Sequence, residues 1–247
     1  MATEVLEGRQ SILAALAAAQ RRFQVILLRQ DHAGEKFQDV LDLAGKRGVA
    51  VRQVDRAELD ALAHGATHGG IVALCSPKPR WGEAELIDHV ARLRVPALLL
   101  LLEGVDDARN LGFTLRSAEA LGAHAVLIKK HLWDFDATEV ARPASGAYER
   151  LPLVQFESLD LLKELGRTGL QLVGCLARAK RTMHQIDMAA PTILAVGGEK
   201  RGLSGAVRGL CDAFATIPTK DGASLSLSHA SAILLAEAMR QRSADKS

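Results

Sequence analysis

Pro96-Ala97-Leu98-Leu99-Leu100-Leu101-Leu102-Glu103-Gly104-Val105-Asp106-Asp107-Ala108-Arg109-Asn110-Leu111-Gly112 decides how the chain is read. Residues Ala97 to Leu102 are apolar without a break, the pattern of a strand buried on both faces. Even extended back to Val95, the run is far shorter than the ~20 residues a bilayer requires. A polar loop carrying Gly104 follows at once, and then a helix over about Leu111 to Leu121. Ligands of open α/β sheets bind at such carboxyl ends of strands.

Outward from this stretch, strands are expected at Ala125 to Ile128, Leu151 to Gln155, Leu170 to Leu176, Ile193 to Val196 and Ala213 to Ile217. Helices are expected at Leu159 to Leu165 and about Ser226 to Gln241. Alternation of this kind predicts an α/β fold with a mostly parallel sheet covered by helices on both faces. Upstream, Ser76-Pro77-Lys78-Pro79 reads as extended connector, because two prolines in three residues disfavour helix. Before it, strands at Phe23 to Arg29, Val49 to Val54 and Gly70 to Cys75 alternate with helices at Ser11 to Gln20, Phe37 to Lys46 and Arg56 to His64, a small α/β sandwich. The expected division is 1–75, a linker over 76–95 with a helix from about Glu83 to Leu93, and 96–247.

Composition narrows the function classes. Of 247 residues 48% are hydrophobic and 24% charged, globular proportions rather than those of a disordered chain. Three cysteines are too few and too scattered for a disulfide framework or a four-ligand zinc site, and no metal is expected. With no secretory leader pattern, a reducing, cytoplasmic setting is the default expectation. A net charge of +2 leaves any basic surface to local clusters. Aromatic residues make up 4%, too few to build a base-stacking platform. The phosphate-loop, dinucleotide, zinc-protease and nucleophile-elbow signatures are all missing.

Two further loops resemble the first in layout. Val196-Gly197-Gly198-Glu199-Lys200-Arg201-Gly202-Leu203-Ser204 follows a buried strand, and its adjacent glycines let backbone approach closely. Ile217-Pro218 leads through Ser224-Leu225-Ser226-Leu227-Ser228-His229 into the last helix, with serines suited to capping. Asn110 has the chemistry of a helix cap, and Arg116 on spacing alone is a solvated helix residue. Together the three loops suggest a small-ligand pocket lined by backbone.

Asn110-Leu111-Gly112 with Arg116, then Gly197 to Leu203, then Ile217-Pro218 with Ser224 to Ser228, resemble in order the three motifs of the SpoU (TrmH) family. These are S-adenosylmethionine-dependent RNA ribose 2′-O-methyltransferases of the SPOUT class. Arg142-Pro143-Ala144-Ser145-Gly146-Ala147 resembles a further family segment, and the likeness covers about Pro96 to Arg242. The first region, from Gly8-Arg9 to His68-Gly69-Gly70-Ile71-Val72-Ala73, resembles the family's ribosomal-protein-like RNA substrate-binding domain. The two-domain layout most resembles the members that methylate a guanosine ribose in bacterial large-subunit ribosomal RNA. A tRNA substrate, or an RNA-binding assembly factor that kept the fold, are the alternatives.

The resemblance implies a trefoil knot, a homodimer with each site completed near the interface, and the cofactor S-adenosylmethionine. It implies cofactor contacts from Gly197, Gly198, Ile217, Leu225, Leu176 and Ser226. Arg116 falls at the position assigned to activating the ribose 2′-hydroxyl, supported by Asn110, Glu199, Ser224 and Ser226. Free Arg is no ordinary base, so it either is perturbed or orients the hydroxyl and phosphate while another group takes the proton. Cations expected to meet RNA are Arg21, Arg22, Lys129 with Lys130 and His131, Arg142, Arg178 with Lys180 and Arg181, Lys200 and Arg201. The sequence departs from the family where Ser226 stands in place of an Asn. In the second motif Gly198 replaces a polar or small residue and Lys200 a Gly.

Overall fold

The computed structural model describes residues 3–32, 35–64, 68–129 and 135–244. Lys130 and His131 of the expected basic cluster lie outside them. The chain forms two compact units: Met1–Pro79 with Phe135–Arg150, and Arg80–Asp134 with Leu151–Ser247.

The first unit runs β1 (Glu4–Glu7), α1 (Arg9–Ala18), β2 (Phe23–Arg29), α2 (Gln38–Arg47), β3 (Val51–Val54), α3 (Arg56–Leu62) and β4 (Ile71–Cys75). Its sheet order is β1-β4-β2-β3, with β2 and β3 parallel and the other pairs antiparallel. Local chemistry sets the helix ends. Gly48 takes the left-handed conformation after α2, and the Asp55 carboxylate accepts the Glu58 N–H at 2.8 Å to open α3. Leu27, Val54, Leu59 and Val72 form a core beneath α3. Strand β1 escapes sequence reading because its four residues, Glu4 to Glu7, show no apolar alternation.

Later in the chain come α4 (Glu83–Arg92), β5 (Leu98–Glu103), α5 (Ala108–Ala120), β6 (Ala125–Lys129), α6 (Ala137–Ala144) and α7 (Ala147–Arg150). Helices α6 and α7 belong to the first unit, where α1 packs on α7 and β1 on α6. Arg21 is fully buried there. Its guanidinium donates to both Glu149 oxygens at 2.9 and 2.8 Å, to Glu4 at 2.6 Å and to the Ser76 carbonyl at 2.9 Å. The expectation that Arg21 meets RNA fails on this burial, since every direction of its fork is filled by protein. Arg22 beside it is exposed.

The second unit continues with β7 (Leu153–Phe156), α8 (Asp160–Arg167), β8 (Gln171–Cys175), β9 (Arg181–Thr182), β10 (Thr192–Gly197), α9 (Gly205–Arg208), β11 (Ala213–Thr216) and α10 (Leu227–Ala244). Its seven strands are all parallel in the order β7-β6-β5-β10-β8-β11-β9. The six residues of β5 are buried throughout and pair in register with β10, Leu98 opposite Thr192 and Glu103 opposite Gly197. Leu99, Leu101, Leu127, Ile193 and Ala195 join Leu161, Leu162 and Leu165 of α8 in the core on one face. On the sheet's other side α10 packs against α5 and β10. The doubly covered sheet is the expected one. Among the described residues no helix is long and apolar enough to cross a membrane.

Candidate active site

The carboxyl ends of β5, β8, β10 and β11 lie side by side, and the loops that leave them make the site. The loop after β10 turns back so tightly that only glycine fits at two positions. A Cβ on Gly197 would sit 2.1 Å from the Gly202 carbonyl carbon, and one on Gly198 would sit 2.0 Å from the Gly104 oxygen. Gly202 N–H closes the turn on the Gly198 carbonyl at 2.8 Å.

Glu103 fastens this loop to β5, a role the sequence did not reveal. Its backbone carbonyl accepts the Gly198 N–H at 2.6 Å. Its buried carboxylate accepts the Ser204 N–H at 2.8 Å and Lys129 Nζ at 2.8 Å. Burial alone would raise its pKa, but the Lys129 ammonium and the Ser204 bonds outweigh that and hold the carboxyl below its ordinary value. The signal was a lone acid ending a run of five leucines, where a fully apolar strand had no other reason to carry charge.

Asp107 is the cap of α5, accepting the Asn110 N–H at 2.6 Å, so the capping role open to Asn110 belongs to a neighbour. That frees the Asn110 amide. Its Nδ2 donates to Glu199 Oε1 at 3.4 Å, and its Oδ1 accepts from Ser228 Oγ at 3.2 Å. Glu199 Oε1 also accepts the Leu227 N–H at 3.3 Å. Ser226 opens α10, its Oγ accepting the His229 N–H at 3.4 Å and lying 3.1 Å from Ser228 Oγ and 2.6 Å from His229 Nδ1. One chain of hydrogen bonds thus joins the first, second and third loops.

Beside this chain lies a cleft whose walls include Leu176, Val196, Gly197, Gly198, Glu199, Ile217, Ser224, Leu225 and Leu227. Of the expected cofactor residues, Gly197, Gly198, Ile217, Leu225 and Leu176 line it, with Glu199 and Ser224; Asn110 and Ser226 reach it through the hydrogen-bonded chain. Arg116 is not in that network. It is exposed on α5, one turn beyond Phe113, which is 49% exposed, and makes no hydrogen bond or ion pair among the described residues.

The cations divide. Lys129, Lys200 and Arg201 surround a second hollow with Glu103, Gly104 and Asp106. Exposed Lys200 pairs with Asp106 at 2.8 Å, and that bond lowers the Asp106 pKa and raises that of Lys200. Arg142, in the first unit, is exposed and lies 3.9 Å from the buried Glu7. Arg178 and Lys180 are exposed at the loop after β8.

The model of the SpoU rRNA methylase family matches residues 97–236, and that of an RNA 2′-O ribose methyltransferase substrate-binding domain matches residues 5–81. The chain is 36% identical over 245 residues to the 23S rRNA (guanosine-2′-O-)-methyltransferase RlmB of Pseudomonas syringae pv. tomato, covering 98% of each. It is 33% identical over 243 residues to the enzyme of that name from Escherichia coli K12, covering 98% of this chain and 100% of that one. The crystal structure of an RNA 2′-O ribose methyltransferase superposes with a TM-score of 0.81 at 28% identity, over 97% of this chain and 89% of that one. AviRb of Streptomyces viridochromogenes, a SpoU methyltransferase solved with AdoMet, shares the fold with a TM-score of 0.82 at 24% identity, over 98% and 91%.

Proposed function

The chain belongs to the SpoU rRNA methylase family, and from that premise we propose that it methylates the 2′-hydroxyl of a guanosine ribose in ribosomal RNA, with S-adenosylmethionine held in the cleft. One observation carries this reading: the hydrogen-bonded chain from Asn110 through Glu199 to Leu227 and Ser228 gathers the three motif loops around a single cleft.

The lining fits the cofactor. Aliphatic Leu176, Ile217 and Leu225 suit the two faces of an adenine ring, and Gly197 and Gly198 offer backbone edges without side chains. Glu199 gives the cleft a carboxylate suited to a cationic methyl donor. The bound cofactor supplies an electrophilic methyl group on a sulfonium sulfur.

The protein then has to seat a ribose hydroxyl, align it and accept its proton. Asn110 fixes Glu199 in place, and Glu199 in turn fixes the start of α10 through Leu227. Ser224 and Ser226 bring hydroxyls to the cleft and its rim. A guanidinium is no ordinary base, so Arg116 serves to orient the hydroxyl and its phosphate. Its absence from this chain's own network, and the exposed Phe113 on the same face of α5, support a homodimer in which Arg116 acts beside the interface.

The substrate RNA is held by the first unit, with Arg22 and Arg142 there and Lys129, Lys200 and Arg201 in the second unit supplying cations for phosphates. The setting is the cytoplasm. The trefoil knot is supported by strand order: β10 and β11 flank the earlier β8, so the chain passes round that strand before α10 returns to α5 and β10.

Mass-spectrometric mapping of ribose methyls on ribosomal RNA tests the substrate: a guanosine methyl lost when the protein is removed and restored by the pure enzyme is the expected result. Arg116→Ala should lower transfer by at least ~100-fold and leave cofactor binding intact. Unchanged transfer overturns the role given to Arg116.

A further inference from the structure

We propose that His229 accepts the ribose hydroxyl proton through Ser226, a Ser–His relay at the rim of the cleft. The inference rests on the methyl-transfer reading above and supplies the proton acceptor that Arg116 does not.

The geometry is specific. Ser226 Oγ lies 2.6 Å from His229 Nδ1, the shortest polar contact Ser226 makes. Ser228 spends its one hydroxyl hydrogen on Asn110 Oδ1. With that hydrogen spent, two acceptors are open to the Ser226 hydroxyl, Ser228 Oγ at 3.1 Å and His229 Nδ1 at 2.6 Å; the relay uses the nearer, which leaves the imidazole carrying its own hydrogen on Nε2. Backbone adds to this, because the His229 N–H donates to Ser226 Oγ at 3.4 Å and stabilises negative charge developing there. Ser226 sits between Leu225 and Leu227, both in the cleft wall, while His229 is exposed and open to water.

Chemistry explains the departure of the third motif. An Asn amide neither takes nor gives up a proton near neutrality, whereas a serine hydroxyl can pass one on. A Ser at position 226 gains that ability only with a base next to it, and His229 is one turn along the same helix.

In the step, the ribose O2′ forms its bond to the methyl carbon as the S–C bond breaks and its electron pair returns to sulfur. The O2′ proton passes to Ser226 Oγ while the Ser226 proton passes to His229 Nδ1. The imidazolium then gives one proton to water. Other ionisable groups on the elements packed against α10 are Asp107 at the cap of α5, Arg109, Arg116 and Glu119 within α5, Glu199 after β10, and His184, which pairs with Glu237 further along α10. Among these, His184 is the other imidazole, and it lies beside Glu237, more than two turns from His229.

The test is single-turnover methyl transfer to ribosomal RNA by wild type, His229→Gln, His229→Ala, Ser226→Ala and the Ser226→Ala/His229→Ala double variant. His229 is exposed, so these proteins should fold. His229→Gln is expected to slow transfer on the order of 100-fold with unaltered binding of RNA and of S-adenosylhomocysteine. The double variant should be no slower than either single one, as for groups that act as a unit. The wild-type rate should climb with pH through the imidazole range and His229→Gln should lose that limb, with imidazole restoring part of the His229→Ala rate.

Nitrogen-15 spectra of the free protein give an independent reading: His229 should be the Nε2–H tautomer in wild type and a mixture in Ser226→Ala. Wild-type rates and pH profile in His229→Gln, or an Nδ1–H tautomer bonded to Ser226, overturn the relay. A wild-type protein that methylates no ribosomal RNA overturns the underlying function instead.

Discussion

Gly197 has no room for even one methyl group, because the returning backbone at Gly202 and Leu203 occupies the space. Gly197→Ala is expected to cost ~1–3 kcal/mol through overpacking. It should also weaken S-adenosylhomocysteine binding at least tenfold, read by calorimetry and thermal melts. Arg21 makes a different kind of demand. Its side chain is 0% exposed and that of Glu149 1%. Arg21→Met strands a buried carboxylate and should lower stability by ~3–5 kcal/mol in denaturant titrations. Adding Glu149→Leu should recover most of that loss, since a buried pair replaced by apolar groups is often neutral. The two residues also mark what a sequence reader can see. Adjacent glycines after an apolar strand announce a close approach by themselves. Arg21 beside Arg22 reads as a basic pair because its partner lies 128 residues away. His229 stands in the third loop, but its contact with Ser226 is hidden for a related reason: it depends on which way the two side chains point.

Helices and strands were legible where their pattern is intrinsic. The leucine run of β5 and the glycine-bearing loop that leaves β10 are local decisions, and the structure repeats them. Helix α6 is the contrary case. Pro143 lies inside its last turn, and proline there reads as a break. Strand β9, two residues long, exists only by pairing with β11. Helix α10 carries a prediction of its own. Glu237 accepts from Nε and Nη2 of Arg240, each at 2.8 Å, and from Gln241 at 2.7 Å, which pulls its pKa down to about 2. A depressed carboxylate stabilises the fold above its ordinary pKa, and that contribution fades as pH falls toward 2. Between pH 4.5 and 2 the wild type should therefore lose stability more steeply than Glu237→Gln, by urea titration across that window.

For the whole molecule, the proposed homodimer predicts that Phe113→Asp yields monomers in light scattering. Methyl transfer should fall with the dimer while the melting temperature of the protomer stays near wild type, because Phe113 is exposed on α5 and contributes little to the core. The family motifs made the second unit's site readable, but the make-up of the first unit was not. Nothing in the spacing of residues 135–150 says that α6 packs on β1 and α7 on α1. That arrangement bears on how the protein is made. A nascent chain that has emerged only as far as Pro79 holds all four strands of the first sheet yet lacks α6, α7 and Glu149, the buried one of the two carboxylates that pair with Arg21. The amino-terminal module must wait, unfinished, through the synthesis of some seventy more residues before it can close.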